Sequence, residues 1–245
     1  MQTLTVIIPT YNEAQYLEDA LYSVKFADEI IVVDSMSTDS TVKIATDHGC
    51  KVVSRKFDNF SNQKNHALQY ATSDWILFLD GDERITYTLQ KEILNAISSN
   101  KHTGYKLNFP HFYMNRFLYH HDNDVTRLVV RDKCHFEGNV HEKLIIEGSI
   151  GTLENKVLHY TYKGLAHYIG KKDAYAWFQA KQILSKGKGM NYFHLAFKPA
   201  YRFFHEYFIR RGFLDGIPGL AVAVINSYGV FSRYAKMILL KKGLK

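Results

Sequence analysis

Cysteine is scarce: the 245 residues hold two, Cys50 and Cys134, and no C-x-x-C. This argues against a zinc site and a disulfide framework, and suits a reducing compartment. Glycine-rich phosphate loops are missing too. No G-x-G-x-x-G follows the first strand-like run and no G-x-x-x-x-G-K-[ST] occurs anywhere, which disfavours a dinucleotide-binding enzyme and a P-loop nucleotidase. The N-terminus lacks a basic region followed by an apolar run, so no signal peptide is expected and the protein is expected to stay where it is made. Acidic charge is sparse in the tail: from Lys198 to Lys245 nine Lys and Arg face only Glu206 and Asp215, a surplus that equals the net charge of +7 for the whole chain. The body is therefore nearly neutral. It has no basic stripe and no nucleic-acid reader motif, so no nucleic acid is expected as a partner. A basic tail in a chain that is 14% aromatic points instead to an anionic membrane surface.

What is present centres on Trp75-Ile76-Leu77-Phe78-Leu79-Asp80-Gly81-Asp82-Glu83. Five bulky apolar residues run into two aspartates separated by a glycine. The apolar run reads as a buried strand of a parallel sheet, which places the carboxylates where that strand leaves the sheet. Ligands of open α/β sheets bind at this edge. Two oxygen donors one residue apart suit a hard cation, Mg2+ or Mn2+, that carries substrate phosphates. Alone the pattern is common, and a solvated turn explains it equally well.

The preceding chain repeats the arrangement. Residues 3–9 read as a strand ended by Pro9, with a loop Thr10–Glu13 and a helix over 14–24. Residues 29–33 form a second strand ending at Asp34, followed by a polar loop and a helix capped by Asp39 or Ser40 that stops at Gly49. A short strand over 51–54, a helix over 62–71 and the strand over 75–79 complete a parallel α/β unit. Further on, 105–109 and 127–131 read as strands, 111–124 as an aromatic loop, and 156–159 as a strand closed by His159. Helices are expected over 164–187 and from Pro199, as a first helical residue, to Gly212.

Three blocks in this order, Val6-Ile7-Ile8-Pro9-Thr10-Tyr11-Asn12-Glu13, Val32-Val33-Asp34-Ser35-x-Ser37-Thr38-Asp39 and Leu79-Asp80-Gly81-Asp82-Glu83, resemble the family 2 glycosyltransferases of the glycosyltransferase-A fold. Later stretches, Phe136-Glu137-Gly138-Asn139-Val140-His141-Glu142, Leu158-His159-Tyr160-x-Tyr162 and Arg210-Arg211-Gly212-Phe213-Leu214-Asp215-Gly216-x-Pro218-Gly219, resemble the branch that builds the bacterial lipopolysaccharide core. The resemblance covers essentially the whole chain. It implies an α/β glycosyltransferase-A fold, a Rossmann-like, mostly parallel sheet flanked by helices, with a C-terminal helical, membrane-associating appendage. The catalytic domain is expected over 1–163, its nucleotide-sugar half about 1–103 and its acceptor half about 104–163, with the helical region over 164–245.

The resemblance also implies roles. Pro9, Thr10, Tyr11, Glu13 and Asp34 would line a UDP-sugar, although Tyr11 is open to a packing role. Lys64 would offset diphosphate charge or stand as an ordinary exposed helix lysine. Asp80 would meet the ribose and the metal, Asp82 the metal, and Glu83 would support them or lead into the next helix. An inverting transfer needs a base for the acceptor hydroxyl. Many relatives use an Asp in a Glu-Asp pair; here His141-Glu142 stands instead, so Glu142 is the expected base with His141 as competitor or partner. His159 would complete the metal site or remain structural. The implied reaction moves a sugar, glucose by preference, from a UDP-sugar to a lipid-linked oligosaccharide such as the lipopolysaccharide inner core. Mg2+ or Mn2+ would be the cofactor, and the place the cytoplasmic face of the inner membrane. Another envelope or capsule acceptor, or a non-catalytic membrane scaffold, stays open. From Gly216 to Ser232 run 17 uncharged residues, about 25 Å as a helix against a roughly 30 Å hydrocarbon core. This reads as a helix lying on the membrane or packed on the domain, not as a span.

Overall fold

The computed structural model describes residues 2–114, 116–138, 143–160, 164–187 and 189–243. The chain forms two compact units, Met1–Phe109 with Asn123–His159, and Pro110–Asp122 with Tyr160–Lys245.

The first unit begins with β1 (Leu4–Thr10), α1 (Ala14–Ser23), β2 (Glu29–Asp34), α2 (Thr41–Asp47), β3 (Lys51–Ser54), α3 (Phe60–Leu68) and β4 (Trp75–Phe78). β1 pairs in parallel with β2 and β4, and β2 with β3. Alternation along β1 explains why it is central: Leu4, Val6 and Ile8 pack with Leu17, Leu21 and Ile93 on one face, while Ile7 packs with Ala67 and Phe78 on the other. A strand buried on both faces reads as an unbroken apolar run, which is what the sequence shows. β5 (Glu83–Arg84) and α4 (Tyr87–Ser99) follow, then β6 (Gly104–Tyr113) and β7 (Arg116–Val130). β8 (Cys134–Glu137), β9 (Lys143–Ile146), β10 (Ile150–Lys156) and β11 (Leu158–His159) complete the strands. The main sheet has the order β3-β2-β1-β4-β7-β6-β11-β5, with β10 on β6, and β8 and β9 form a separate pair. The run of parallel neighbours β3-β2-β1-β4 ends at β4, whose other neighbour, β7, is antiparallel; β10 pairs in parallel with β6.

Several local expectations are corrected. The aromatic segment 111–124 is not a loop: 111–113 end β6 and 116–124 belong to β7. Phe112 and Phe117 bring their rings to 4.9 Å, the kind of aromatic pair that favours strands. α3 begins earlier than expected because Asn59 caps it, its side chain accepting the Asn62 N–H at 2.8 Å. Lys64 consequently lies inside the helix.

The second unit is helical beyond its strand segments. α5 (Leu165–Ser185) and α6 (Tyr192–Phe204) pack on α7 (Gly216–Lys241). Pro199 is not the first residue of its helix. Asn191 caps α6 in a reciprocal pair with His194, and Pro199 lies within it. A single π turn over His205–Ile209 then carries the chain out of α6. α7 runs past Ser232 to 26 residues, about 39 Å; by length and composition alone it is apolar enough to cross a membrane. The stretch Arg210–Gly219 proves to be a junction. Asp215, buried before α7, accepts the His120 N–H at 3.1 Å. Gly219 lies so close to Gly212 that a Cβ would sit 2.0 Å from the Gly212 carbonyl oxygen.

Candidate active site

The carboxyl ends of β1, β2 and β4 deliver three polar loops to one edge of the sheet. Thr10 and Asp34 are opposite each other in register, and the Thr10 hydroxyl reaches the Asp34 carboxylate at 3.5 Å. Both are buried, and the other Asp34 oxygen accepts the Ser37 N–H at 2.9 Å. The first two loops are stitched together: Asn12 donates its N–H to Ser37 Oγ and accepts that of Thr38, and Glu13 donates to Thr41 Oγ1. Asp39, not Ser40, steadies the entry to α2 by accepting the N–H groups of Thr41 and Ala14. Pro9 stays within β1, which continues to Thr10, and Tyr11 is exposed at the loop tip.

The Asp80–Glu83 turn is held from inside. Glu83, 1% exposed, accepts the Asp80 N–H at 2.8 Å. Arg84, also buried, donates to the carbonyls of Gly81 and Tyr16. Gly81 touches Glu13: a Cβ there would lie 3.4 Å from the Glu13 side chain, so the first loop packs on the acidic turn. Arg127, from β7, places its guanidinium 2.8 Å from Asp80 and 3.4 Å from Glu83. Burial opposes charge on Asp80, but Arg127 overrides it, with help from Lys64 and His159, and holds the carboxyl well below the usual range. Burial pushes Glu83 up to about 7; Arg127 opposes this shift and neighbouring Asp80 adds to it. Lys64 is buried, its ammonium 5.0 Å from the centre of the Phe136 ring, so it is not an ordinary surface lysine.

Asp82 points to His159 at the end of β11, with 3.7 Å between Oδ1 and Nε2. Burial disfavours the imidazolium, yet Asp82, Glu83 and Asp80 together raise the His159 value. Among the described residues no three His, Cys, Asp or Glu side chains converge as a ready-made cage. The pair still offers one oxygen and one nitrogen donor with Asp80 nearby. This fits a cation that takes few protein ligands and fills its shell from a diphosphate.

His141 and Glu142 lie outside the described residues. The strands that precede and follow them, β8 and β9, pair antiparallel with Glu137 opposite Lys143. β8 is fastened to α3, the helix of Lys64: Asn65 exchanges two hydrogen bonds with Phe136, both 2.8 Å, and Ser61 donates to the Gly138 carbonyl at 2.5 Å.

Sequence reasoning missed Arg127 as a site residue and left Glu83 in a minor role. A charged residue opening the apolar run Arg-Leu-Val-Val was the available signal. Its partner depends on register: Leu128 pairs with Leu77, so Arg127 follows towards the acidic turn.

The family model described as Glycosyl transferase family 2 matches residues 5–155. An uncharacterized glycosyltransferase of Rickettsia felis is 32% identical, covering 97% of this chain and 90% of its own. A lipopolysaccharide core biosynthesis glycosyltransferase, LpsC of Rhizobium meliloti, is 26% identical over 95% of this chain and 93% of its own. Among solved structures, S. aureus TarS 1-349 in complex with UDP-GlcNAc superposes with a TM-score of 0.52 at 15% identity, covering 99% of this chain and 92% of that one.

Proposed function

The chain belongs to glycosyl transferase family 2, and from that premise we propose that it moves glucose from UDP-glucose, with inversion, to a lipid-linked oligosaccharide of the lipopolysaccharide inner-core type. The observation that carries the reading is the meeting of Thr10–Asp34, the Asp80–Arg127–Glu83 cluster and the Asp82–His159 pair at one strand-end edge. Asp34 and Thr10 would receive the uridine, and Glu13, Pro9 and Tyr11 would border it. Lys64 would face the diphosphate. Asp82, with His159 and Asp80, would hold Mg2+ or Mn2+, which stabilises negative charge on the departing UDP. Glu142, with His141 beside it in sequence, would take the proton of the acceptor hydroxyl as it attacks the anomeric carbon; general-base help of this kind is worth roughly 10²–10⁴-fold. Relationship to LpsC supports the acceptor class, and TarS, which shares the fold, is solved in complex with UDP-GlcNAc.

The reaction would take place on the cytoplasmic face of the inner membrane, and the helical unit supports peripheral membrane contact. α6 exposes Phe193, Phe197, Tyr201 and Phe204, spaced to share a face, with Lys198 and Arg202 exposed beside them. Exposed aromatic area rimmed by positive charge suits insertion at a headgroup layer.

The test is UDP release from a panel of UDP-sugars, with and without Mn2+ or Mg2+, using deacylated lipopolysaccharide core as acceptor. Acceptor-stimulated, metal-dependent release from UDP-glucose, lost in Asp82→Ala and Glu142→Gln, is the expected result. Near wild-type transfer by Asp82→Ala would overturn the metal assignment. Release that the core does not stimulate would overturn the acceptor. Independently of activity, Mn2+ should raise the melting temperature of wild type and not of Asp82→Ala.

A further inference from the structure

A cleft of about 600 Å3 opens wholly within the helical unit, walled by α5, α6 and α7. Its lining includes Lys171, Lys172, Lys198, Arg202 and Arg233 and no acidic residue. One cation is matched nearby: Arg202 lies 2.6 Å from the buried Glu206, which also accepts from Asn226 at 2.7 Å. Lys171 and Lys198 have no carboxylate partner among the described residues. Arg233 donates to Gln179 at 3.1 Å, while its Nε is buried with no acceptor among the described residues. A buried guanidinium N–H without an acceptor costs stability, so Arg233 stands in the lining with its charge only partly satisfied.

Lys172 is built into the wall. Its stem packs on Gly229, where a Cβ would meet it at 3.6 Å, and its ammonium lies 5.5 Å from the Tyr168 ring centre. Burial lowers its ordinary value; Glu206 offsets part of the shift, and Arg202 and Lys171 add to it. The cleft is thus short of negative charge. Three tyrosines, Tyr168, Tyr175 and Tyr201, complete the lining. Flat rings next to ammonium groups suit a sugar that carries an anion. The lining also shares Lys198 and Tyr201 with the exposed aromatic groove of α6, so one wall of the cleft is the helix proposed to meet lipid.

We propose that this cleft binds a phosphate monoester carried on a sugar ring, held by Lys171, Lys172, Lys198 and Arg233 with the ring against the tyrosines. Lysines act as point charges around a compact, multiply charged phosphate, and a guanidinium adds planar, directional donors. A soluble sugar phosphate and the phosphorylated headgroup of a glycolipid share this chemistry. The assignment does not depend on the donor site.

The test uses the full chain in EDTA, titrated calorimetrically with glucose 6-phosphate and, as neutral control, glucose. A second arm measures co-sedimentation with phosphatidylcholine vesicles with and without monophosphoryl lipid A. Lys171→Ala/Lys198→Ala removes two exposed cleft charges; Lys241→Ala/Lys242→Ala removes two exposed charges elsewhere in the same unit. Binding of glucose 6-phosphate but not glucose, weakened at least about tenfold by the first pair and unchanged by the second, supports the site with a soluble ligand. Binding confined to vesicles carrying monophosphoryl lipid A, with the same variant pattern, supports it with a glycolipid. If neither probe binds, or if both double variants weaken binding alike, the cleft is not a phosphate site and the attraction is diffuse charge.

Discussion

Arg127→Met tests how the acidic turn is held. Methionine keeps most of the aliphatic stem but removes the guanidinium, whose carbon lies 5.3 Å from the Phe109 ring centre, and with it the charge. At 2.8 Å and an effective dielectric of about 20, the attraction to Asp80 is roughly 6 kcal/mol before desolvation. The Asp80 side chain is 40% exposed and water recovers much of that loss, so this pair contributes little to the net cost. Glu83 is different. Its side chain is 1% exposed, and Arg127 is the cation the structure places against it. Removing one member of a buried pair costs about 3–5 kcal/mol, because Glu83, already pushed up to about 7 with Arg127 in place, must then stay charged in a poor solvent or take up a proton. Because a carboxyl at about 7 protonates readily, the expected loss is at the low end, about 3 kcal/mol by urea denaturation at pH 8. If the orphaned Glu83 carboxylate is the cause, Arg127→Met/Glu83→Gln should be more stable than Arg127→Met by at least about 1 kcal/mol, a non-additive cycle. A double variant no more stable than the single one, or a single loss below about 1 kcal/mol, would refute the reasoning.

Three further outcomes follow from the same structure. Gly219→Ala should cost more than about 3 kcal/mol in the helical unit, because the new Cβ meets the Gly212 backbone, not a side chain that can swing away; far-UV circular dichroism melting reads it. Cys50 and Cys134 are pushed up by burial to about 11 and about 12, the latter also by Asp132. Little thiolate then exists at pH 8, and iodoacetamide should label native protein at least about a hundredfold more slowly than urea-unfolded protein. Phe193→Ser/Phe197→Ser should reduce flotation with anionic vesicles several-fold while leaving UDP-sugar binding intact; equal flotation would place the membrane contact elsewhere.

The first four strands and their loops were legible because each signal is local. A doubly buried strand must be continuously apolar, and the chain must turn polar where it leaves the sheet, so Ile7, Val33 and Phe78 announce β1, β2 and β4 without any knowledge of their neighbours. The loops Thr10–Glu13, Asp34–Ser37 and Asp80–Glu83 could be read as one edge for the same reason. Beyond Gly104 the local signals misled. Aromatics in 111–124 looked like a recognition loop but supply strand pairing, and Pro199 looked like a helix start although the Asn191 cap lies a full two turns earlier. What only the tertiary structure decided is the electrostatics of the edge. Arg127 is 47 residues from Asp80, and only the antiparallel register of β7 on β4 brings the two together. Lys64 is an exposed-looking helix residue until Phe136 covers it, and the cationic cleft draws its lysines and arginines from three helices. Periodicity reports which face of an element is buried; which charges meet depends on long-range register and packing, and these appear only once the chain has folded.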